Sequence, residues 1–110
     1  MPTTYKVLGQ LASAATTAET LYTVPASTQA VVSTITLANI SASSITYRLA
    51  VRPGGAALAN QHYLAYGVTL AANDTTTLTL GISLGAGDVI TVYASAGSAL
   101  VTHAYGAEIA

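Results

Sequence analysis

Turn-forming residues interrupt this chain at short intervals, and the runs between them alternate in polarity. The clearest run spans residues 45–52, where Ile, Tyr, Leu and Val alternate with Thr, Arg, Ala and Arg. Successive side chains of a strand point to opposite faces, so this alternation predicts a half-buried strand. Signals rich in Gly, Pro, Asn, Asp and Ser occur at residues 25–28, 39–44, 53–55, 73–74 and 85–88. Such spacing leaves little room for helices and favours an all-β fold.

The predicted fold is a single-domain antiparallel β-sandwich, jelly-roll or Greek-key-like, with about eight strands. The chain has 110 residues, a length that suits one domain with a substantial core. We expect strands at roughly residues 4–9, 19–24, 29–38, 44–52, 61–66, 68–71 together with 75–81, 87–95 and 100–109. Residues 11–18 are rich in Ala but short and uncapped, so a loop is expected there. Residues 1–18 are expected to form an N-terminal strand and arm, and residues 19–110 the sandwich itself.

Charged side chains are scarce in this sequence. They make up 6% of the residues, against about 25% in an average protein. The net charge is −1. Because a soluble monomer normally keeps its copies apart with interspersed charges, this composition predicts a surface that other protein covers. The seven charged residues are Lys6, Glu19, Arg48, Arg52, Asp74, Asp88 and Glu108.

The same numbers argue against two classes of partner. Phosphate binding needs clustered Lys and Arg, and three basic residues against four acidic ones do not provide it, so no nucleic acid is expected. A membrane-spanning helix needs about 20 consecutive, mainly apolar residues, and no window supplies them. We therefore expect no membrane partner. No targeting signal is recognisable, which favours synthesis in a cytoplasm.

One motif imitates a catalytic site. Gly81-Ile-Ser-Leu-Gly85 matches G-x-S-x-G, and Asp88 and His103 follow in the chain order of a hydrolase triad. A nucleophile elbow requires a helix after the serine, whereas a strand pattern follows here. The histidines and the aspartates at Asp74 and Asp88 show no metal-ligand spacing, and the chain has no Cys. We expect a non-enzymatic protein without catalytic, cofactor or metal residues, in which these aspartates cap turns.

Four side chains are candidates for contact with a partner: Arg48, Arg52, Tyr63 and Tyr66. Arg48 and Arg52 share one face of a predicted strand, about 13 Å apart. They could meet acidic groups of another protein, or lie on a solvated face. Tyr63 and Tyr66, near the end of the loop at residues 54–60, could stack on a sugar as in a lectin site. Ordinary packing is the alternative for these tyrosines.

Four segments carry a resemblance to a known group of proteins. They are Leu21-Tyr-Thr-Val-Pro-Ala-Ser-Thr-Gln-Ala-Val-Val-Ser-Thr-Ile35, Tyr47-Arg-Leu-Ala-Val-Arg-Pro-Gly-Gly55, Leu70-Ala-Ala-Asn-Asp-Thr-Thr-Thr-Leu-Thr-Leu80 and Gly87-Asp-Val-Ile-Thr-Val-Tyr93. In style and order of strands they resemble small virion structural proteins of tailed bacteriophages. The resemblance implies a decoration or cement protein of the capsid, or a small tail or fibre module. Such proteins are typically β-sandwiches assembled as symmetric oligomers.

The resemblance favours a capsid decoration or cement subunit on the outer surface of the virion, made in the host cytoplasm. Its partners would be itself, as a homo-oligomer, and a major capsid or other virion protein. A trimer suits the local threefold positions of a capsid. The arm at residues 1–18 is expected to reach a neighbouring subunit. The alternative is a tail, spike or fibre module that binds a host receptor or carbohydrate through Tyr63, Tyr66 and the 54–60 loop.

Overall fold

The computed structural model describes residues 3–110, apart from the side chain of Leu80, and contains eight strands in two sheets. The strands are β1 (Thr3–Ala12), β2 (Glu19–Thr23), β3 (Gln29–Asn39), β4 (Ile45–Arg52), β5 (Tyr63–Leu70), β6 (Thr75–Leu84), β7 (Val89–Ala94) and β8 (Leu100–Ile109). Single 3₁₀ turns cover Pro53–Gly55 and Asn60–His62. Within these residues no helix has the length and apolar character needed to cross a bilayer. The predicted all-β sandwich is confirmed.

The order of the strands is that of a jelly roll. Sheet A has the order β1-β8-β3-β6, and sheet B has the order β2-β7-β4-β5. All the paired strands are antiparallel, and most consecutive strands lie in different sheets. Two interleaved Greek keys produce such an arrangement. β1 and β6 are the edges of sheet A, and β2 and β5 are the edges of sheet B.

The core lies between the sheets and consists of the apolar side chains that alternate along the strands. Ile35 and Leu37 of β3 face Leu49 of β4 and Ile90 of β7 across it, and all four are fully buried. Each such side chain contributes about 1.5–3 kcal/mol when it leaves water. In β7 the residues from Val89 to Val92 are all buried, including Thr91 on the outer side of sheet B. The outer side of β7 is covered by the loop at residues 13–18 and by the segment at residues 53–62.

The strand bounds differ from the prediction between residues 61 and 84, where the strand predicted to end at 81 runs on to Leu84. The predicted strand at 61–66 and the predicted joining of 68–71 to 75–81 are both wrong. β5 runs unbroken from Tyr63 to Leu70, because Gly67 is accommodated as a bulge inside it. A turn in which the Asp74 N–H donates to the Ala71 carbonyl at 3.2 Å separates β5 from β6. Glycine signals a strand end and a bulge alike, which is why the pattern misled.

The N-terminal strand expected within residues 1–18 is β1, although residues 1 and 2 lie outside the described part of the chain. β1 pairs with β8 of its own chain and runs to Ala12, so the predicted loop at 11–18 is confined to residues 13–18. In this loop the Ser13 N–H donates to the Leu100 carbonyl at 3.0 Å, and the Thr16 N–H donates to the Ala94 carbonyl at 2.8 Å. The loop is thereby fastened to both sheets. Its contact with a neighbouring subunit stays a prediction.

Candidate functional site

The outer face of sheet B carries a cluster of three tyrosines around one arginine. Arg48 on β4 lies opposite Tyr66 on β5 and opposite Tyr93 on β7. Its guanidinium carbon is 4.2 Å from the centroid of each of these rings. Tyr63 meets Tyr66 edge to face, with centroids 4.8 Å apart and an interplanar angle of 85°. We refer to these four residues as the Arg48 cluster.

Two irregularities in β5 create this cluster. Side chains three positions apart, like Tyr63 and Tyr66, point to opposite faces of a regular strand. In the pairing of β5 with β4, Leu64 has no opposite residue, and neither has Gly67. Each extra residue reverses the alternation of faces. The extra residue at Leu64 puts Tyr63 on the same side as Tyr66, and the one at Gly67 puts both on the side of Arg48.

A cleft of about 240 Å³ lies beside the cluster. Ala50 and Thr91 form its floor, Thr16 of the 13–18 loop forms one wall, and Leu58 of the 53–62 segment contributes to another. A second hollow of about 330 Å³ is lined by Tyr63, Tyr66 and Asn60. Tyr63 borders both spaces, so its ring is the ridge between two adjacent hollows.

Arg52 lies on the same outer face as Arg48, as predicted, but it has different partners. Its Nε donates to Thr91 Oγ1 at 3.0 Å, and its Nη1 donates to the carbonyl of Ala56 at 3.2 Å. These hydrogen bonds hold the 53–62 segment against the sheet and so position the wall that contains Leu58. In the described part of the chain, nothing accepts a hydrogen bond from the Arg48 guanidinium. Arg52 therefore shapes the cleft, whereas the donors of Arg48 are free for a ligand.

A second polar cluster ties the two sheets together away from the cleft. The Tyr22 hydroxyl on β2 donates to Glu108 Oε2 at 2.5 Å, and Lys6 Nζ on β1 donates to Glu108 Oε1 at 2.9 Å. The bond from Tyr22 and then the bond from Lys6 hold the pKa of the Glu108 carboxyl below its usual range. Burial, reinforced by this carboxylate, raises the pKa of Tyr22. Because both carboxylate oxygens are occupied, this cluster is a structural tie.

The three residues that follow the order of a hydrolase triad, Ser83, Asp88 and His103, do not come together in the fold. Ser83 lies opposite Val31 on β3, whereas His103 lies opposite Thr36, and five residues of strand span roughly 16 Å. The third member, Asp88, caps a turn, as expected. Its carboxylate accepts from the N–H of Gly85 at 2.9 Å and from that of Gly54 at 2.8 Å.

The remaining candidates for acid, base or metal chemistry are also accounted for. Asp74 is a turn cap too, since its Oδ1 accepts from the N–H of Thr75 at 2.9 Å. Between residues 3 and 110, no three of the His, Asp and Glu side chains come together as a potential metal site.

The outer face of sheet A has the opposite character to the Arg48 cluster. Register and burial assign to it, among the described side chains, no Asp, Glu, Lys or Arg. Tyr5 is 83% exposed there, and Val7 and Val31 are exposed beside it. Along β8, Tyr105 and His103 lie on this face, whereas Ala104 is buried on the core side. The sandwich therefore has one neutral outer face and one outer face with two arginines.

Two of these features were missed from the sequence. Tyr93 was not among the predicted contact residues, although its alternation with Val92 in β7 could have placed it outward. The neutral face was missed because alternation separates two faces of a strand without saying which one meets the core.

Comparison with protein-family models, curated proteins and solved structures gave no match. The two surfaces are therefore interpreted from their own geometry and chemistry.

Proposed function

We propose that this chain is a non-enzymatic structural subunit, a capsid decoration or cement protein that stabilises an assembled phage particle through protein–protein contacts. The observation that carries the proposal is the neutral outer face of sheet A. Permanent interfaces are depleted in charge and use aromatic and apolar side chains, and Tyr5, Val7 and Val31 are exposed on this face. The resemblance of residues 21–95 to small virion proteins supports a phage particle as the setting.

The face is large enough for a specific contact. Four strands about 4.8 Å apart, each about ten residues long at about 3.3 Å per residue, cover roughly 600 Å². Two such faces together bury ~1,200 Å², above the ≈ 1,000 Å² that a specific interface needs. A second copy of the chain is the occupant that we propose, since two neutral faces meet without stranding a charge. One polar pair on the face is hydrogen-bonded internally, with His103 Nδ1 and the Tyr105 hydroxyl 2.8 Å apart.

The mechanism of stabilisation is mass action. A subunit that binds the assembled lattice, and not its dissociated parts, shifts the equilibrium toward the lattice. Purified particles that carry the chain should contain many copies of it, in a fixed ratio to the major capsid protein. They should also withstand heating better than particles assembled without it. A handful of copies per particle would contradict the cement role and would favour a tail or spike module.

The role of the neutral face is tested separately by Val31→Asp. This change places a charge on an exposed position of the face, so self-association measured by light scattering should be lost. The trimer suggested by the resemblance would appear as a threefold mass in the parent protein, and a face-to-face dimer as a twofold mass. Thr69→Asp, on the outer face of sheet B, is the matched control and should leave the mass unchanged. If Val31→Asp and Thr69→Asp change the mass equally, the neutral face is not the surface through which the chain self-associates.

A receptor- or carbohydrate-binding module is the second candidate function, and the Arg48 cluster favours it. Three tyrosines beside two adjacent hollows offer stacking surfaces with polar tips. Jelly rolls occur in lectins as well as in capsids, although that is an analogy of fold alone. Binding to a glycan array that is lost in Tyr63→Ala, and kept in Tyr5→Ala on the opposite face, would establish it. The two candidate functions use opposite faces and do not exclude each other.

A further inference from the structure

We propose that the Arg48 cluster binds an acidic sugar, a uronic acid residue of a polysaccharide, with the carboxylate held by the Arg48 guanidinium. This inference rests on the carbohydrate-binding candidate function and adds its ligand class. It is carried by the position of Arg48 between two rings, by its free donors, and by the hollows on either side of Tyr63.

The Arg48 side chain is arranged to bind an anion edge-on. Tyr66 and Tyr93 lie against the guanidinium from β5 and β7. The N–H groups along the edge of the guanidinium are therefore the part that can contact a ligand. A guanidinium presents five N–H groups in a planar fork that matches a carboxylate bidentately. Its position against two rings limits the conformational freedom that it can lose on binding.

No anion within the described chain already occupies this fork. The salt bridge found in residues 3–110 joins Lys6 to Glu108 at 2.9 Å, and both residues belong to sheet A. Glu19, on the edge strand of sheet B, accepts a hydrogen bond from the N–H of Ala14 at 2.6 Å. Arg52 adds a second positive charge to the outer face of sheet B. An external carboxylate is therefore the group that this face lacks.

The tyrosines give the site its preference for a sugar. Tyr66 is 60% exposed, and Tyr63 borders both hollows. A sugar ring has an apolar C–H face that packs on an aromatic ring, and hydroxyls that bond to a tyrosine O–H. The hydroxyls of Tyr63, Tyr66 and Tyr93 have no hydrogen-bond partner in the described part of the chain. The carboxylate of an acidic peptide is carried on a short open chain, which offers no ring face to pack on Tyr63 and Tyr66.

The size of the hollows suits sugar units in a row. The cleft of about 240 Å³ is just below the range of drug-sized pockets, about 300–1,000 Å³, so a single ring is a suitable occupant. The neighbouring hollow of about 330 Å³ across Tyr63 offers room for the next ring. We therefore expect a chain of uronic acids to bind more tightly than one unit.

The two arginines in the sequence, Arg48 and Arg52, make a direct test possible. In a ¹⁵N-labelled sample their side-chain Nε–H groups give two resonances, and Arg48→Gln identifies which is which. Titration with the methyl glycosides of glucuronic and galacturonic acid should move the Arg48 resonance and leave that of Arg52 in place. Methyl glucoside is a comparable ring without the carboxylate. Its affinity should be lower by a factor of about ten or more, because a charge-assisted bidentate bond is lost. Arg48→Gln should remove this difference, and Tyr5→Ala should not alter it.

Each other outcome overturns a defined part of the proposal. Equal binding of glucoside and uronides would overturn the acidic ligand and leave the carbohydrate-binding candidate standing. If neither the glucoside nor the uronides bind, both the acidic ligand and the carbohydrate-binding function are overturned. N-acetylglutamate serves as the peptide-carboxylate probe, and binding as tight as that of the uronides would overturn the sugar in favour of an acidic protein partner. Unchanged affinity for the uronides in Arg48→Gln would overturn the assignment to Arg48.

Discussion

The guanidinium of Arg48 lies 4.2 Å from the ring centroid of Tyr66, and this contact depends on the bulge residue Gly67. Val68 is opposite Tyr47 and faces the core side, so without the extra residue Tyr66 would face that side as well. Gly67 adopts a φ of +66°, in the left-handed region that glycine occupies without steric cost. One glycine thus decides on which face of sheet B the tyrosine lies.

Gly67→Ala should reduce both stability and the order of the cluster. A Cβ in the left-handed region costs about 1–2 kcal/mol, which urea unfolding can measure. If β5 relieves the strain by losing the bulge, the Arg48 Nε resonance should move as Tyr66 leaves it. Gly54→Ala is the matched control, since Gly54 has a φ of +63° and open space around it, as Gly67 has. Gly54→Ala should lose similar stability and leave the Arg48 resonance in place; an equal movement would contradict the role of Gly67.

Gly106→Ala should destabilise the protein for a different reason, which is lack of space. A Cβ at Gly106 would overlap the carbonyl oxygen of Val31 and approach the Val32 Cα to 3.0 Å. Backbone atoms cannot swing aside, so we expect a loss of about 1–3 kcal/mol or more in the free energy of unfolding. Gly85→Ala, where the nearest atom is Asp88 Oδ2 at 3.9 Å, provides the comparison. It should change stability by less than Gly106→Ala in the same urea experiment.

Thr102→Val should stabilise the fold. The Thr102 hydroxyl is buried without a hydrogen-bond partner among the described residues. Valine has nearly the same shape and removes this unsatisfied group, so the free energy of unfolding should rise by about 1 kcal/mol. Thr91→Val is the same substitution at another buried site, but the Thr91 hydroxyl accepts a bond from Arg52. It should lower stability by about 0.5–1.5 kcal/mol, and effects of the same sign in both variants would contradict this account.

Stability should fall in acid as Glu108 becomes protonated. The bonds from Tyr22 and Lys6 lower the pKa of Glu108 in the folded chain from its ordinary value of 4.5. The ionised carboxylate therefore stabilises the fold above pH 4.5, and this contribution disappears as the pH falls through the lower pKa of the folded state. Glu108→Gln should show a shallower decline of the free energy of unfolding below this pH.

Tyr22→Phe provides the second arm of the acid experiment. It removes the first cause of the lowered pKa of Glu108, so the acid decline should become shallower here as well. The raised pKa of Tyr22 also means that its stabilising contribution is present below its ordinary value of 10.0 and is lost as the pH rises through the higher folded pKa. If the free energy of unfolding of Tyr22→Phe declines in acid as steeply as that of the parent protein, the Tyr22 hydroxyl does not lower the pKa of Glu108.

Much of the fold could be predicted because strand alternation and turn chemistry are local. Residues 45–52 alternate and form β4, with Arg48 and Arg52 on one outer face, as predicted. The turn roles of Asp74 and Asp88 were also predicted, since a carboxylate caps nearby N–H groups. The different roles of the two arginines could not be predicted. They depend on Thr91 and Ala56, which come close only when β7 and the 53–62 segment pack against β4.

The sequence by itself determined that this chain makes short, turn-bounded strands with few charges to separate its copies. Only the tertiary structure decided what each face displays. Tyr63 and Tyr66 are three positions apart and would lie on opposite faces of a regular strand, yet both lie beside Arg48. The reason is physical: side-chain alternation is local, whereas a bulge is defined only by the strand paired against it. Pairing with β4 therefore placed the tyrosines around Arg48, and packing of the two sheets left a neutral face outside.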